Sequence, residues 1–171
     1  DWMQVQSVIQ DSGKTVIAIT SPSVRVSLGE EFGMQPGSYV EEQMVGSLRA
    51  LGFNYVFDTT FAADLTIMEE ASELIERIQT KQPLPQFTSC CPAWVKFAET
   101  YYPELLPNLS TSKSPISMFA PTIKTWFAEK EGLDADDIYV VAITPCTAKK
   151  FEIMREELSD AANYLDREPA Q

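Results

Sequence analysis

Tyr139-Val140-Val141-Ala142-Ile143 runs directly into Thr144-Pro145-Cys146. A strand with one wet face alternates apolar and polar residues, whereas this run is apolar throughout, the pattern of a strand covered on both faces. Thr15-Val16-Ile17-Ala18-Ile19-Thr20 repeats it and ends at Ser21-Pro22-Ser23, and Tyr55-Val56-Phe57 is a shorter version.

Helical patterns lie between these strands. Val40, Met44, Leu48 and Leu51 recur at helical spacing from Val40 to Leu51, with Ser38 after Gly37 as the expected cap and Gly52 as the stop. Ala63 to Gln79 reads as a second helix whose apolar face carries Ile67, Ala71, Leu74, Ile75 and Ile78. Phe87-Thr88-Ser89-Cys90-Cys91 reads as a strand end, and Pro92 suits the first position of a helix through Tyr101. Thr111 to Lys130 is expected to be helical, kinked or split by Pro121 and closed by Gly132; Lys149 to Leu158 is helical again.

Strands alternating with helices predict an α/β fold: a mostly parallel sheet with helices on both faces. Residues 1–14 read as a leading segment, 15–159 as one α/β lobe and 160–171 as a polar terminal segment. Ligands collect beyond the carboxyl ends of strands in such sheets. Ser21-Pro22-Ser23, Cys90-Cys91 and Thr144-Pro145-Cys146 are all expected at that edge.

A chain of 171 residues with 44% hydrophobic content can bury a sizeable core. Its formal net charge of -12 has the wrong sign for a phosphate backbone or an anionic membrane surface, so nucleic acid is excluded as a natural partner. No stretch approaches the roughly 18 apolar residues that span a bilayer, and the first residues lack a basic start followed by an apolar core. A cytoplasmic protein is expected. The start at Asp1 and the end at Gln171 read as those of an excised piece.

The chain has three cysteines, Cys90, Cys91 and Cys146, and no histidine. An odd count with two adjacent residues makes no disulfide framework, and Cys-His and Ser-His catalysis cannot be built within the chain. Cys91 and Cys146 are 55 positions apart, which is neither a zinc-finger nor a ferredoxin spacing. Each is expected where a helix begins, and there backbone N-H groups favour the thiolate that iron needs. Buried cysteines serving as small hydrophobes are the plainer alternative.

Thr88-Ser89-Cys90-Cys91-Pro92-Ala93-Trp94-Val95-Lys96 resembles the first signature of the iron-iron hydrogenases, and Pro145-Cys146-Thr147-Ala148-Lys149-Lys150-Phe151-Glu152 the second, in the family's order. The segments at 57–70 and 108–115 are also similar to family segments, so the resemblance covers roughly Thr15 to Arg155. It implies one lobe of a two-lobed catalytic domain that interconverts molecular hydrogen with protons and electrons. The implied cofactor is a 4Fe-4S cluster bridged by a cysteine to a di-iron subcluster carrying CO, cyanide and a dithiolate.

By that resemblance Cys91 and Cys146 supply two of the four cubane ligands. The other two, the bridging one among them, belong to a third signature that is absent here, so the chain alone is expected to be inactive. The remainder of the catalytic domain or a second polypeptide must complete the site. Cys90 would hand protons to the cofactor, with Glu70, Glu73 and Ser110 continuing the path. Glu70 and Glu73 are three apart on a helix, and Glu70 borders its apolar stripe, where a carboxylate would be partly buried with a raised pKa. A solvated acidic face is the alternative.

Lys149 matches the lysine facing a cyanide, since an ammonium offers three donors to an anion. Pro22 and Ser23 match the loop at the other cyanide; a solvated lysine pair at a helix start and an ordinary turn are the plainer alternatives for these residues. Ser21 stands where many members have alanine, Thr144 where methionine is usual and Ile116 where glutamine is frequent, which bears on rate and catalytic bias. Ferredoxin or nicotinamide-linked proteins would carry the electrons. An iron-sulfur sensory or assembly protein of the same superfamily, or a metal-free acidic binding module, are the competing readings.

Overall fold

The computed structural model describes residues 2–11 and 13–166; the last five residues of the expected polar terminal segment lie outside them. The chain divides into two compact units. Unit 1 comprises 1–60, 120–145 and 160–171; unit 2 comprises 61–119 and 146–159.

Unit 1 holds a three-stranded parallel sheet: β1 (Thr15–Thr20), β2 (Tyr55–Asp58) and β3 (Ile138–Ile143), in the order β2-β1-β3. β1 is central, which is why Val16, Ile17, Ala18 and Ile19 are almost wholly buried. Burying one such Val or Ile side chain stabilises the fold by about 1.5–3 kcal/mol. Asn54 fixes the register at the start of β1: its Oδ1 accepts from Val16 N-H at 2.7 Å and its own N-H donates to Val16 O at 2.9 Å.

Helices cover both faces, as the unbroken apolar strands predict. On one face Val16 and Ala18 join Met44, Leu48 and Phe53 in a core packed by Val5, Val8 and Ile9 of α1 (Trp2–Asp11) and Val45 of α3 (Glu41–Leu51). On the other, Tyr55 and Phe57 each meet the Phe127 ring edge-on at 5.0 Å. Between β1 and α3 stand α2 (Val24–Ser27) and a 3-10 turn, Leu28–Phe32.

Gly52 ends α3 with φ 108°, and a Cβ there would lie 2.6 Å from Ile9 Cγ2. The start of α3 differs from expectation. Ser38 is not its cap: Ser38 Oγ donates to Gln35 O at 2.6 Å, and Val40 holds the cap position without a side-chain bond. Glu41 and Glu42 in the first turn complement the helix dipole instead.

α4 (Thr60–Thr80) leads into unit 2, which also contains α5 (Pro92–Tyr101) and α8 (Lys149–Glu152). The expected apolar face of α4 is not its buried face. Ile67, Leu74, Ile75 and Ile78 are exposed, while Ala62, Thr66 and Arg77 are buried. The Phe87 segment is not a strand of the sheet either, because Phe87 forms only an isolated bridge to Leu109. Pro83 and Pro85 just before it have no N-H to give a ladder.

The run expected from Thr111 begins only at Pro115. It consists of α6 (Pro115–Thr122), a π-helical turn at Ile123–Phe127 directly after Pro121, and α7 (Ala128–Glu131), closed by Gly132 at φ 67°. Pro121 thus splits the helix as its missing N-H dictates. The last expected helix shortens to α8 and a 3-10 turn, Glu156–Leu158, before α9 (Asp160–Leu165).

Candidate functional site

In unit 1, the strand order reverses between β1 and β3, the point where α/β sheets open a crevice for ligands. Ser21 follows β1 there, and its N-H donates to Ile143 O, the last residue of β3, at 2.9 Å. Ser21, Pro22 and Thr144 therefore stand at one carboxyl edge of the sheet, and Ser23 precedes α2. Arg25 anchors α2 through ion pairs to Glu41 at 2.7 Å and Asp58 at 2.6 Å.

In unit 2, Cys91 is the N-cap of α5 and Pro92 its first residue. Cys91 Sγ accepts from Trp94 N-H at 3.4 Å, so a helix start does aim an N-H group at this sulfur. The three cysteines are exposed and none is in a disulfide. Cys146 precedes α8, and its carbonyl accepts from Lys149 N-H at 3.2 Å. Lys149 Nζ also donates to Cys90 O at 2.8 Å, which joins the two cysteine-bearing segments.

The lysine has a second partner that sequence reasoning did not assign. Glu152, buried at 6% exposure, takes the Lys149 ammonium on Oε2 at 2.5 Å. Its Oε1 accepts from Ser117 Oγ at 2.7 Å and from Ser114 Oγ. The i,i+3 spacing of Lys149 and Glu152 was the available signal.

Glu73 and Ser110 meet directly, whereas Glu70 is coupled to Glu73 through charge. Ser110, itself buried, donates from Oγ to Glu73 Oε2 at 2.6 Å; Arg77 donates to Glu73 Oε1 from Nη2 at 2.7 Å, and Thr111 N-H approaches Oε2 at 3.1 Å. Burial alone would raise the Glu73 pKa, but these donors outweigh it and hold the carboxyl below its usual range. Glu70 moves the opposite way: burial, then the neighbouring Glu73 charge, push it up against one backbone bond from Ser89. Its Oε1 is buried without a protein partner.

Arg77 was also missed, although Glu73 and Arg77 have helical i,i+4 spacing. It is buried, and it donates to the carbonyls of Pro83, Pro107 and Leu109 as well as to Glu73, tying α4 to the loops that carry Ser110. Among the described residues no group of three or more His, Cys, Asp or Glu side chains gathers as a metal site. The exposed Cys91, which caps α5, suits a cluster thiolate, but a four-cysteine cubane cannot be completed by this chain, which has three cysteines in all.

Comparison with known proteins identifies the family and the fold. The chain matches, over residues 14–167, the family model that describes the C-terminal domain of the iron-only hydrogenase large subunit. It is 49% identical over 163 residues to the periplasmic Fe hydrogenase large subunit of Nitratidesulfovibrio vulgaris, covering 94% of this chain and 39% of that protein. It is 48% identical over 155 residues to iron hydrogenase 1 of Clostridium pasteurianum, covering 91% and 27%. A solved variant of the FeFe hydrogenase HydA1 from Chlamydomonas reinhardtii superposes with TM-score 0.88 at 42% identity, over 96% of this chain and 42% of that one.

The chain belongs to this family, the C-terminal domains of iron-only hydrogenase large subunits. It spans well under half the length of the hydrogenases it resembles. The family's wider relatives include the cytosolic Fe-S cluster assembly factor NAR1 of Sclerotinia sclerotiorum, 34% identical over 90% of this chain and 29% of that protein.

Proposed function

We propose that the complete protein containing this chain is an iron-iron hydrogenase, catalysing reversible oxidation of molecular hydrogen, and that this chain contributes half of the cysteines that hold its cubane. The observation that carries the reading is that Cys91 caps α5 while Lys149, first residue of the helix after Cys146, bonds the Cys90 carbonyl. A 4Fe-4S cluster with a CO- and cyanide-bearing di-iron unit supplies electron storage and hydrogen activation when bound.

Cys91 and Cys146 are its ligands here, and Lys149 presents an ammonium to an anionic ligand. Cys90 moves protons, with Glu70, whose raised pKa suits proton uptake, as the next acceptor. Glu73 and Ser110 form the adjoining hydrogen-bonded pair. Ser21, Pro22, Ser23 and Thr144 shape the carboxyl edge of the sheet. Electrons come from a ferredoxin or a nicotinamide-linked protein, and the proposed compartment is the cytoplasm. Among the described residues no helix is long and apolar enough to cross a membrane.

A second reading, an iron-sulfur assembly or sensory protein, draws support from the NAR1 relatives and from Thr144 in place of the usual methionine. Anaerobic maturation of the complete protein with the di-iron cofactor separates the two. Hydrogen evolution with infrared bands of CO and cyanide is expected; bound iron and sulfide without either would favour the second reading.

A further inference from the structure

Glu152 is a buried carboxylate with three side-chain donors: Lys149 of its own helix, Ser117 of α6 and Ser114 just before α6. Oε1 receives Ser114 and Ser117, which flank the start of α6, and Oε2 receives Lys149, from the same turn of α8. A carboxylate at 6% exposure would be costly without such partners, and with them it is held in one place from both sides. Lys149, whose side chain is 14% exposed, is correspondingly fixed: Glu152 and Cys90 O take two of its three N-H donors. The serines are not symmetric in their support. Ser114 also accepts from Ser117 N-H at 3.3 Å, so it closes the start of α6 while it holds Glu152.

We propose that Glu152, braced by Ser114 and Ser117, is the positioning residue that aims the Lys149 ammonium and, through it, sets the Cys90 carbonyl and the adjoining cysteine pair. This rests on the reading of Lys149 as the group facing an anionic cofactor ligand. Glu152 touches no substrate. It confines the lysine to one rotamer, leaving its third N-H for that ligand, and it keeps the segment carrying Cys146 attached to the one carrying Cys90 and Cys91. The identity of Ser117 matters because its hydroxyl is one of the two that hold Oε1 opposite the lysine.

Two measurements test this, one of them independent of any cofactor. In the 171-residue chain labelled with 15N-lysine, the Lys149 ammonium is expected to give a protected NMR signal, identified by its loss in Lys149→Arg. Glu152→Gln is expected to abolish the protection and, in uniformly 15N-labelled chain, to shift the Cys90 backbone signals; Ser117→Ala, a milder change should Glu152→Gln not fold, is expected to reduce the protection. Unchanged protection in either folded variant overturns the proposal.

In the complete, matured protein, Ser117→Ala and Glu152→Gln are expected to shift the cyanide infrared bands and to slow hydrogen turnover by roughly 10- to 100-fold. Wild-type protein without those bands would refute the hydrogenase reading itself. Bands present in the wild type and unmoved in a folded variant would refute only the role given to Glu152.

Discussion

Ser110 Oγ donates to Glu73 Oε2 at 2.6 Å, across 37 positions of sequence. The bond is one of several that keep Glu73 ionised, while three residues earlier Glu70 is pushed toward its neutral form by burial and by that same charge. Two carboxyls on one helix are thus driven apart in proton affinity, the arrangement that assigns different roles to like groups.

The two shifts have opposite consequences for stability. The folded value of Glu73 lies below its ordinary 4.5, so its contribution is fully present above 4.5 and is lost as pH falls through the folded value. Glu73→Gln should destabilise the chain by about 3 kcal/mol at pH 7, because the buried Arg77 loses its carboxylate. Urea unfolding at pH 7 and again near pH 3 checks both points, and the difference from wild type should shrink in acid.

For Glu70 the sign reverses. Its folded value lies above 4.5, so the stability linked to its protonated form is complete below 4.5 and falls as pH rises through the folded value. Glu70→Gln should therefore raise the melting temperature at pH 7 by a few degrees, the effect of about 1 kcal/mol. That gain should vanish in acid, while hydrogen turnover of the complete protein drops.

The adjacent cysteines should separate in iron analysis. In the complete protein, Cys91→Ser and Cys146→Ser are expected to lower bound iron and sulfide sharply. Cys90→Ser should retain iron and lose turnover by at least about 100-fold, the contribution of a positioned proton donor. Equal iron loss in all three variants would contradict the division of roles.

Gly52 is a structural control outside the candidate site. Gly52→Ala forces a side chain into a left-handed backbone and against Ile9 Cγ2. It should cost about 1–3 kcal/mol in urea unfolding. Gly46, where a Cβ meets nothing within 4 Å, should tolerate alanine.

The sheet was legible because its signal is local: an apolar strand needs only five or six adjacent residues to declare itself, and Thr15–Thr20 matches its expected bounds. Helix ends with a proline or glycine were equally clear, at Pro92, Gly52 and Gly132. What failed depended on distant neighbours. Periodicity named an apolar face on α4, yet Arg77 lies buried on that helix because Glu73, the nearby Pro83 carbonyl and the distant carbonyls of Pro107 and Leu109 satisfy it. Cys90-Cys91 resembled a strand end, but Phe87 forms an isolated bridge to Leu109 and joins no strand of the sheet. The signatures pointed to Lys149, whereas the serines that hold its partner Glu152 lie 35 and 38 positions away in sequence.

The central claim is that Cys91 and Cys146 are two ligands of a hydrogen-activating iron centre. Infrared spectroscopy of the complete protein, matured anaerobically with the di-iron cofactor, tests it most directly when run beside Cys91→Ser and Cys146→Ser. CO and cyanide bands with hydrogen turnover in the wild type, both lost in either variant, are predicted. Wild-type protein that takes up iron but shows neither bands nor turnover, or variants that keep both, would contradict it.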